Sequence, residues 1–516
     1  MRRCMTCLAP LLAALALLTA CGTGVPPSAG AGATTGLPAT PPDAALNLNA
    51  TANVRLILEP TSLNPFSTAG AALDQILLDN VYQNLLSVDV NKQDAIVPQL
   101  ASSYEESPDG LTYTFHLVPN AHFHDGKPLT SADVTWSLDQ QTSPGSLGIY
   151  AANFASIGSV TAPDPHTVVI NLKHRDTWLL WNLTQREGIV YEQGTTFASL
   201  DAAENGSGPF TLGGWNRGSS ITFNRFNGYW GAKPKVAKVI FHYITDSNTA
   251  NNAEQTGETD VEATADPTLL QPFANNSSFT VLTGSTTDKF TLAFNDAAAP
   301  FTNPAVRHAI RQAINNADVI KAYGGGSAIG SDVPQQDPWY EDLTSIDAYN
   351  PGNAKKLLAG AGFPNGLNLT LTVPTIYTTA ISDVLTSELK QVGITLTVKR
   401  VEFQTWLSQV FSNHSYQLSL VDHAEARDIG NYANAKYYFG YDNPQVQAWY
   451  AQAGTATSDA RRNALLKQVG RQIATDAASD WLFLAKTFTV VRHGVYGVPS
   501  IETTNRFDLA DLAVGT

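Results

Sequence analysis

Alternating apolar and polar residues predict a series of short strands in the first half of the chain. Four segments have this pattern and are rich in β-branched and aromatic residues, namely 53–58 (NVRLIL), 111–117 (LTYTFHL), 166–172 (HTVVINL) and 236–244 (VAKVIFHYI). Residues 209–226 contain two further alternating segments joined through Asn216-Arg217-Gly218, which predicts a β-hairpin. Apolar residues recur at helical spacing over 71–86, and we expect a helix there.

The pattern changes after about residue 295, where helical and strand periodicities alternate. The clearest unit has a strand at 367–373, a helix at 381–393 that ends at Gly393, and a strand at 394–401. Two parallel strands joined by a helix almost always take a right-handed crossover. We therefore expect an α/β lobe with a doubly wound sheet at about 296–489.

Further elements extend this second lobe. Helices are predicted at 303–314, where Pro304 lies near the start, and at 458–474. Strands are predicted at 416–421 and 481–491. The last of these could return the chain to the first lobe. Two lobes joined by crossing strands make a hinged clamshell.

The first 20 residues form a predicted targeting segment. Two arginines precede a short apolar run at 8–18, which is shorter than the roughly 20 residues that a transmembrane helix needs. The segment ends in Leu18-Thr19-Ala20-Cys21, and small residues before a cysteine resemble the bacterial lipobox, in which the thiol receives a diacylglycerol. An ordinary secretory signal with an incidental cysteine is the alternative. Lipidation at Cys21 would anchor the protein to the outer face of a membrane.

Residues 21–50 are the predicted lipidated cysteine followed by a flexible linker. The linker is mostly Gly, Ala, Pro and Thr with one charged residue, and such a segment cannot bury a core. Its root-mean-square reach is on the order of 30 Å. No later stretch is apolar for about 18 residues, so we expect the body of the protein not to span the membrane.

The charge balance and the cysteine count exclude several classes of protein. The formal net charge is −14 and only 15% of residues are charged, which argues against nucleic acid as a partner because its recognition usually needs a basic patch. The three cysteines are Cys4, Cys7 and Cys21. The residues after Cys21 therefore cannot form a disulfide, a thiolate metal site or a cysteine nucleophile.

The stretch HFHDG has the composition of a metal or acid–base site. His122, His124 and Asp125 are near neighbours in sequence, and His116 is just upstream. This group raises the alternative of a secreted metallohydrolase, but the chain has no His-Glu-x-x-His or Gly-x-Ser-x-Gly motif. We therefore predict no catalytic residues, no cofactor and no enzyme activity. A surface metal at His122 and His124 stays open as an alternative.

The same stretch also has a structural explanation. Phe123 is predicted to point inward between the two histidines, and Asp125-Gly126 supplies a turn. Thr130-x-x-Asp133 resembles a capping box at the start of a helix. We therefore predict that each residue type in this stretch has a structural role and that the stretch forms a corner of the fold.

Five segments in a fixed order carry a resemblance to a known family. They are DGLTYTFHLVPNAHFHDGKPLTSADVTWSL, GSGPFTLGGWNRGSSITFNRFNGYWGAKPKVAKVIF, LAFNDAAAPFTNPAVRHAIRQAI, NAKKLLAGAGF and LKQVGITLTVKRVEFQTWL. Together they resemble the family 5 extracytoplasmic solute-binding proteins of ABC transporters, which include oligopeptide, dipeptide and nickel binders. The resemblance runs over roughly 53–500.

The resemblance implies an α/β fold, a two-lobed periplasmic-binding-protein-like clamshell of type II with an extra subdomain in the first lobe. Domain I would comprise about 51–82, 205–295 and 490–516. Domain II would comprise about 83–204, and domain III, the second lobe, about 296–489. The ligand would lie between domains I and III and be enclosed when they close.

The resemblance also implies the function. We expect a lipid-anchored, monomeric binding protein on the extracytoplasmic face of a bacterial cell membrane, which captures peptides and delivers them to an ABC permease without chemistry. Other solutes bound in the same family, such as a sugar, an opine or a nickel complex, are the alternative.

Loops at the carboxyl ends of the second-lobe strands are the predicted ligand site, because ligands of doubly wound sheets bind there. In peptide-binding members an aspartate after the third strand pairs with the peptide's α-ammonium, and Asp428 matches it best. Family members usually have a tryptophan shortly after this strand, and His423 or Asp422 takes its place here. The other predicted ligand-binding residues are Tyr432, Tyr377, Asn64 and Phe66.

One departure from the family bears on the ligand. Dipeptide binders place an arginine in the loop that matches PTIYTT (374–379), where it holds the ligand carboxylate, and this loop has none. A longer peptide, or a ligand without a carboxylate, therefore fits better than a strict dipeptide.

Overall fold

The computed structural model describes residues 39–68, 70–92, 94–201 and 204–516. The predicted signal segment, Cys21 and most of the linker lie outside these residues. The described strands are β1 (Thr51–Leu56), β2 (Leu86–Asp89), β3 (Ala95–Pro98), β4 (Ala101–Glu106), β5 (Thr112–Leu117), β6 (Ile157–Asp164), β7 (Thr167–Leu172), β8 (Phe210–Asn216), β9 (Ser220–Arg225), β10 (Lys238–Tyr243), β11 (Val261–Glu262), β12 (Phe279–Phe294), β13 (Gly326–Ser327), β14 (Leu367–Pro374), β15 (Ile394–Val401), β16 (Leu418–His423), β17 (Ser479–Arg492), β18 (Val495–Tyr496) and β19 (Ala513–Val514).

The described α-helices alternate with these strands mainly in the second half of the chain. They are α1 (Ala71–Leu77), α2 (Ser131–Thr142), α3 (Leu179–Asn182), α4 (Ser247–Thr256), α5 (Pro304–Ala313), α6 (Asn316–Tyr323), α7 (Pro351–Gly360), α8 (Ala380–Gln391), α9 (Phe403–Trp406), α10 (Pro444–Gly454) and α11 (Asp459–Thr475).

One mixed sheet runs through both lobes in the order β15-β14-β16-β12-β17-β11-β1-β10-β9-β8. The two long central strands, β12 and β17, pair antiparallel over most of their length. β16 of the second lobe pairs with the C-terminal part of β12, and β11 of the first lobe pairs with the C-terminal end of β17. The predicted return of the chain through 481–491 is confirmed, and β12 and β17 form the crossing strands of a hinged two-lobed molecule.

The strand–helix–strand unit of the second lobe is confirmed. β14 and β15 pair in parallel, with Leu367 opposite Ile394, and α8 makes the connection. Leu369, Leu371 and Val373 point into the core, where burial of each stabilises the fold by about 1.5–3 kcal/mol. The sheet is mixed rather than doubly wound, because β12 is antiparallel to β16 and β17.

A separate four-stranded sheet, β4-β5-β7-β6, packs against α2 in the first lobe. The predicted capping box is confirmed at the start of α2, where the Thr130 backbone N–H donates to Asp133 Oδ2 at 2.8 Å. Phe123 is fully buried, as predicted.

Both histidines of the HFHDG stretch make protein contacts. His122 Nε2 lies 2.6 Å from the carbonyl oxygen of Gly228. His124 Nδ1 lies 2.9 Å from the carboxylate of Glu204, and its other ring nitrogen lies 2.9 Å from the carbonyl oxygen of Gly208. Each ring thus ties the corner to a neighbouring segment, which supports the structural explanation of this stretch.

The helix predicted over 71–86 is shorter than expected. α1 ends at Leu77, and the chain turns at Asp79, whose φ is +65°. The side-chain amide of Asn80 donates to the carbonyl oxygens of Ile76 and Phe507, so it fixes this turn against the C-terminal segment. Periodicity could not reveal the break, because one of the two bonds that hold the turn comes from Phe507 at the far end of the chain.

Among the described residues, no helix combines the length and the apolar character required to cross a membrane.

Candidate functional site

A cavity of about 620 Å³ lies between the two lobes. The first lobe contributes residues of α1, α3 and the loops near them, and the second lobe contributes the loop after β16 and part of α10. The lining residues with the most relevant chemistry are Asp74, Trp181, Arg186, Glu425, Arg427 and Asp428. Cavities that hold drug-sized ligands have roughly 300–1,000 Å³, so this one can enclose a small organic molecule or short peptide.

The second-lobe wall of the cavity follows the carboxyl end of β16. The strand ends at His423, and the chain turns at Arg427, whose φ is +59°, before a short 3₁₀ helix at Asp428–Ala433. β14 ends at the same edge because it is parallel to β16. This is the position at which open α/β sheets place their ligands, and the loop lies where the sequence predicts it.

A buried ion pair joins this loop to the crossing strand β12. Lys289 is opposite His423 in the β12–β16 register, and a register shift between Ser285 and Lys289 precedes it. Its ammonium lies 2.8 Å from Asp428 Oδ1, and it donates to the carbonyl oxygens of Glu425 at 2.9 Å and Thr287 at 3.1 Å. The side chain of Lys289 is fully buried.

The carboxylates around Lys289 keep it charged. Burial acts to lower the pKa of Lys289, but the negative charges of Asp428 and Asp332 outweigh it and raise that pKa above its ordinary value. Burial, reinforced by the charge of Asp428, raises the pKa of Asp332. Lys289 is therefore an ammonium, and Asp428 and Asp332 are the acidic groups beside it.

His423 lies beneath the same loop as a neutral ring. Its Nε2 is 2.8 Å from the Tyr438 hydroxyl, and burial lowers its pKa to about 4. One donor atom each of His423, Glu425 and Asp428 lies within 4.8 Å of the others, a spacing that also suits a metal ion. Lys289 already lies 2.8 Å from Asp428 Oδ1, so one of these three groups is engaged by a cation of the protein itself. We therefore assign the cluster to an ion pair.

Residues of β12 and of the loop after β16 also border a second, smaller cavity. Asp288, Ala424 and Glu502 line this space of about 120 Å³. Burial raises the pKa of nearby Asp422 to about 7, and its backbone N–H donates to the Tyr377 hydroxyl at 3.1 Å. Carboxyl groups thus border both cavities.

The first-lobe wall carries a charge pair that is complete in itself. Arg186 binds Asp74 through two hydrogen bonds of 2.6 Å each, and its guanidinium lies 5.5 Å from the ring centre of Tyr150. A two-bond arginine–carboxylate pair has a fixed geometry. Burial raises the pKa of the adjacent Glu187 to about 7, and this side chain accepts a hydrogen bond from Asn153.

Aromatic contacts connect the lobes at one end of the cavity. The guanidinium carbon of Arg427 lies 3.9 Å from the ring centre of Trp181 on the first lobe. Trp178 stacks on Tyr450 of α10 with ring centres 5.8 Å apart. The backbone N–H of Thr177 also donates to the carbonyl oxygen of residue 454 at the end of α10. In this structure the lobes are in contact around the cavity.

The six residues predicted to bind the ligand have different surroundings. Asp428 lines the larger cavity, and His423 lies behind it. Tyr432 is buried, and its hydroxyl accepts a hydrogen bond from the Trp481 indole at 3.0 Å. Tyr377 packs against Phe290 in the core. Of these second-lobe residues, Asp428 therefore borders the larger cavity directly, whereas the others pack behind the cavity wall.

Asn64 and Phe66 hold the loop that follows β1. The side-chain amide of Asn64 donates to the carbonyl oxygen of Phe197 at 2.9 Å, and the ring of Phe66 stacks on the ring of Phe197 at 4.0 Å. Neither side chain lines the two cavities described above. Their role as ligand contacts stays a prediction.

Sequence reasoning missed four residues of the site, namely Lys289, Glu425, Arg427 and Trp181. Lys289 is a lone cation at the start of the apolar strand segment KFTLAF, and that position is a signal that could have been used. Glu425 and Arg427 lie in the loop that was predicted to bind the ligand. No pattern points to Trp181, because its position depends on how the lobes meet.

A deep cleft between two lobes that share crossing strands defines a hinged ligand-binding protein. The sequence model of the family described as bacterial extracellular solute-binding proteins, family 5 Middle, matches residues 95–450. The chain belongs to this family of ABC-transporter solute-binding proteins. The resemblance inferred from five sequence segments is confirmed.

Relatives of known structure or name agree with this assignment. The glutathione-binding protein GsiB of Pectobacterium atrosepticum is 28% identical over 488 residues, which cover 88% of this chain and 92% of that protein. The periplasmic binding protein DppA of Helicobacter pylori, solved with the peptide STSA, has a TM-score of 0.82 at 22% identity and covers 91% of this chain and 98% of its own. AgaA of A. tumefaciens R10, solved with agropinic acid, has a TM-score of 0.80 at 24% identity over 90% of this chain and 99% of its own. These solved structures confirm the predicted two-lobed α/β fold.

Proposed function

We propose that the protein is the substrate-binding component of an ABC importer, anchored outside the cell membrane through Cys21, and that it captures peptides between its lobes for a permease. The observation that carries this proposal is the cavity of about 620 Å³ whose walls come from both lobes and carry charges of both signs. A ligand that bridges the walls favours the closed arrangement, because it gains contacts there that an open cleft cannot supply. The peptide complex of DppA and the name of GsiB support peptides as the ligand class.

The size of the cavity favours peptides of a few residues. It lies in the middle of the range of roughly 300–1,000 Å³ that accommodates drug-sized ligands. This supports the expectation of a ligand longer than a strict dipeptide. A peptide much longer than this would have to extend out of the cavity.

Two carboxylates, those of Asp428 and Glu425, lie where they could bind a peptide's α-ammonium. Asp428 is the predicted partner, but one of its oxygens already lies 2.8 Å from Lys289. Glu425 lines the same cavity, and no cation of the described residues lies within the ion-pair distance of 4.0 Å from its carboxylate. We propose that Asp428 and Glu425 bind the ligand ammonium together, and that Glu425 supplies the negative charge that no protein cation neutralises.

An opine or a related small zwitterion is the second candidate ligand. The cavity presents Glu425 and Arg427 close together in sequence, so a compact molecule with an amine and a carboxylate would also meet both charges. The likeness of the fold to AgaA, which was solved with agropinic acid, is the observation that favours an opine as this second candidate.

The test of the proposal is to identify the bound molecule and the anchor. Mass spectrometry of the small molecules released from the purified soluble chain (residues 22–516) should find peptides of a few residues. Release of an opine and no peptide would overturn the peptide assignment. Cys21→Ser should release the full chain from membranes, and unchanged membrane retention would contradict the lipid anchor.

A further inference from the structure

Arg427 lines the ligand cavity, and its guanidinium contacts the ring of Trp181. Among the residues that the structure describes, it donates no hydrogen bond, and no carboxylate lies within the ion-pair distance of 4.0 Å. An arginine keeps its charge in such surroundings and has five N–H donors to satisfy. A partly buried charge with unmet donors is unfavourable, so this side chain is prepared for an acceptor that the protein itself does not provide.

The other arginine that lines the cavity, and the buried lysine behind the wall, are already engaged. Arg186 makes two hydrogen bonds to the carboxylate of Asp74, and Lys289 is paired with Asp428. An incoming anion would have to break these pairs to reach either of them. Among the described residues, Arg427 is therefore the arginine of the cavity lining whose N–H donors are not bonded to another residue.

Trp181 fixes the orientation of that guanidinium. Only 7% of Trp181 is exposed, and its ring centre lies 3.9 Å from the guanidinium carbon. Stacking covers a face of the planar group and leaves the N–H donors at its edge, where they match the two oxygens of a carboxylate. Since Trp181 belongs to the first lobe and Arg427 to the second, the arrangement requires the lobes to be together.

We propose that Arg427 is a specificity-determining residue that binds a carboxylate of the ligand, and that Trp181 positions it upon closure. The inference rests on the proposed function and narrows its substrate class to peptides with a carboxylate, either at the C-terminus or on an acidic side chain. It also differs from the expectation drawn from the loop 374–379, which left a ligand without a carboxylate open. An arginine for a ligand carboxylate is present in the cleft, but it comes from the loop after β16.

Two carboxylates, those of Asp337 and Asp94, act on the charge of Arg427 from a distance. Burial lowers the pKa of Arg427, and the negative charges of Asp337 and Asp94 act in the opposite direction. Both carboxylates lie outside ion-pair distance, so they help to keep Arg427 charged but leave its N–H donors unoccupied.

The experiment titrates the soluble chain with three tetrapeptide pools. One pool consists of neutral peptides as free acids, the second is the same pool amidated at the C-terminus, and the third is amidated with one glutamate per peptide. Wild type, Arg427→Gln, Arg427→Lys and Trp181→Leu are compared with Arg217→Gln. Arg217 is a matched control, because it stacks on Trp215 at 3.8 Å but lines neither cavity.

We expect wild type to bind the free acids at least about tenfold more tightly than the neutral amides. Arg427→Gln should abolish this preference, Arg427→Lys and Trp181→Leu should reduce it, and Arg217→Gln should keep it. The preference is a ratio measured on each folded variant, so a general loss of stability does not imitate the result. Tight binding of the amidated glutamate pool would show that Arg427 binds a side-chain carboxylate of the peptide. Weak binding of that pool would show that Arg427 binds the C-terminal carboxylate.

Two outcomes count against the account, and they can be told apart. Equal binding of all three pools by wild type, or an unchanged preference in Arg427→Gln, overturns the inference about Arg427 and leaves the binding function in place. No binding of any pool overturns the proposed peptide-binding function itself.

Discussion

The ammonium of Lys289 lies 2.8 Å from the carboxylate of Asp428, and this contact joins a crossing strand to the ligand loop. Lys289 is on β12, which runs through both lobes, whereas Asp428 begins the 3₁₀ helix after β16. The pair therefore fixes the loop relative to the hinge. The ion pair also reduces the negative charge that Asp428 can offer to a ligand, because the buried ammonium of Lys289 partly neutralises it.

Removal of Lys289 should destabilise the fold strongly. In Lys289→Met the carboxylate of Asp428 stays buried without its partner, and breaking a buried pair in this way costs about 3–5 kcal/mol. The measurement is the free energy of unfolding from urea titration. Lys486→Met is the matched control on the neighbouring strand, and because that side chain is exposed, its effect should stay within about 0.5 kcal/mol. Equal stability of the two variants would refute the buried ion pair.

The peptide ammonium should be recognised through Glu425 and Asp428. A hydrogen bond to a charged group is worth about 1.5–3 kcal/mol, which is roughly tenfold to a hundredfold in affinity. Glu425→Gln and Asp428→Asn should weaken the binding of peptides with a free amine by such factors, and N-acetylated peptides should bind wild type poorly. Calorimetric titration checks both. If wild type binds free and acetylated peptides equally, neither carboxylate has the proposed role.

The predicted elements of the second lobe agree closely with the structure because their periodicity is local. The β14–α8–β15 unit follows from alternating leucines, an amphipathic helix and a glycine at its end. The corner around HFHDG follows equally well, since turn and capping signals lie within a few residues of each other. The loop after β16 was predicted as the ligand site because it follows the carboxyl end of a parallel strand; the parallel pairing of β14 and β16 is confirmed, and the role of the loop stays a prediction.

The partners of the site residues could not be predicted from the sequence. Lys289 reaches Asp428 because β12 lies beside β16, and the register shift before Lys289 belongs to the pairing of β12 with β17. Arg427 reaches Trp181 because of the way two lobes meet. Such contacts depend on tertiary packing between segments far apart in the chain, and a single sequence carries no local signal for them. The domain boundaries remain predictions for the same reason.

The stability of the protein should fall as the pH rises through neutrality, and Glu262 should contribute to this. Glu262 is fully buried, and burial raises its pKa to about 7, above the ordinary value of 4.5. A carboxyl group with a raised folded-state pKa contributes its full stability below about pH 4.5 and loses it as the pH passes 7. Glu262→Gln should therefore shrink the difference in unfolding free energy between pH 5 and pH 8 by on the order of 1–3 kcal/mol.

The control for this prediction is Glu258→Gln, because Glu258 is exposed in the same region of the first lobe. That variant should keep the pH dependence of wild type. Urea unfolding at the two pH values checks both proteins. A pH dependence that is identical in wild type and Glu262→Gln would show that Glu262 is ionised at little cost.

Thermal denaturation of the soluble chain with the free-acid tetrapeptide pool tests the central claim most directly. A ligand that binds only the folded protein stabilises it by RT ln(1 + [L]/Kd), which is about 2.7 kcal/mol at 100 times Kd. We predict a clear rise in Tm for wild type and a much smaller one when Glu425→Gln and Arg427→Gln are combined. No rise in wild type, or an equal rise in both proteins, would contradict capture of a peptide in the cleft between the lobes.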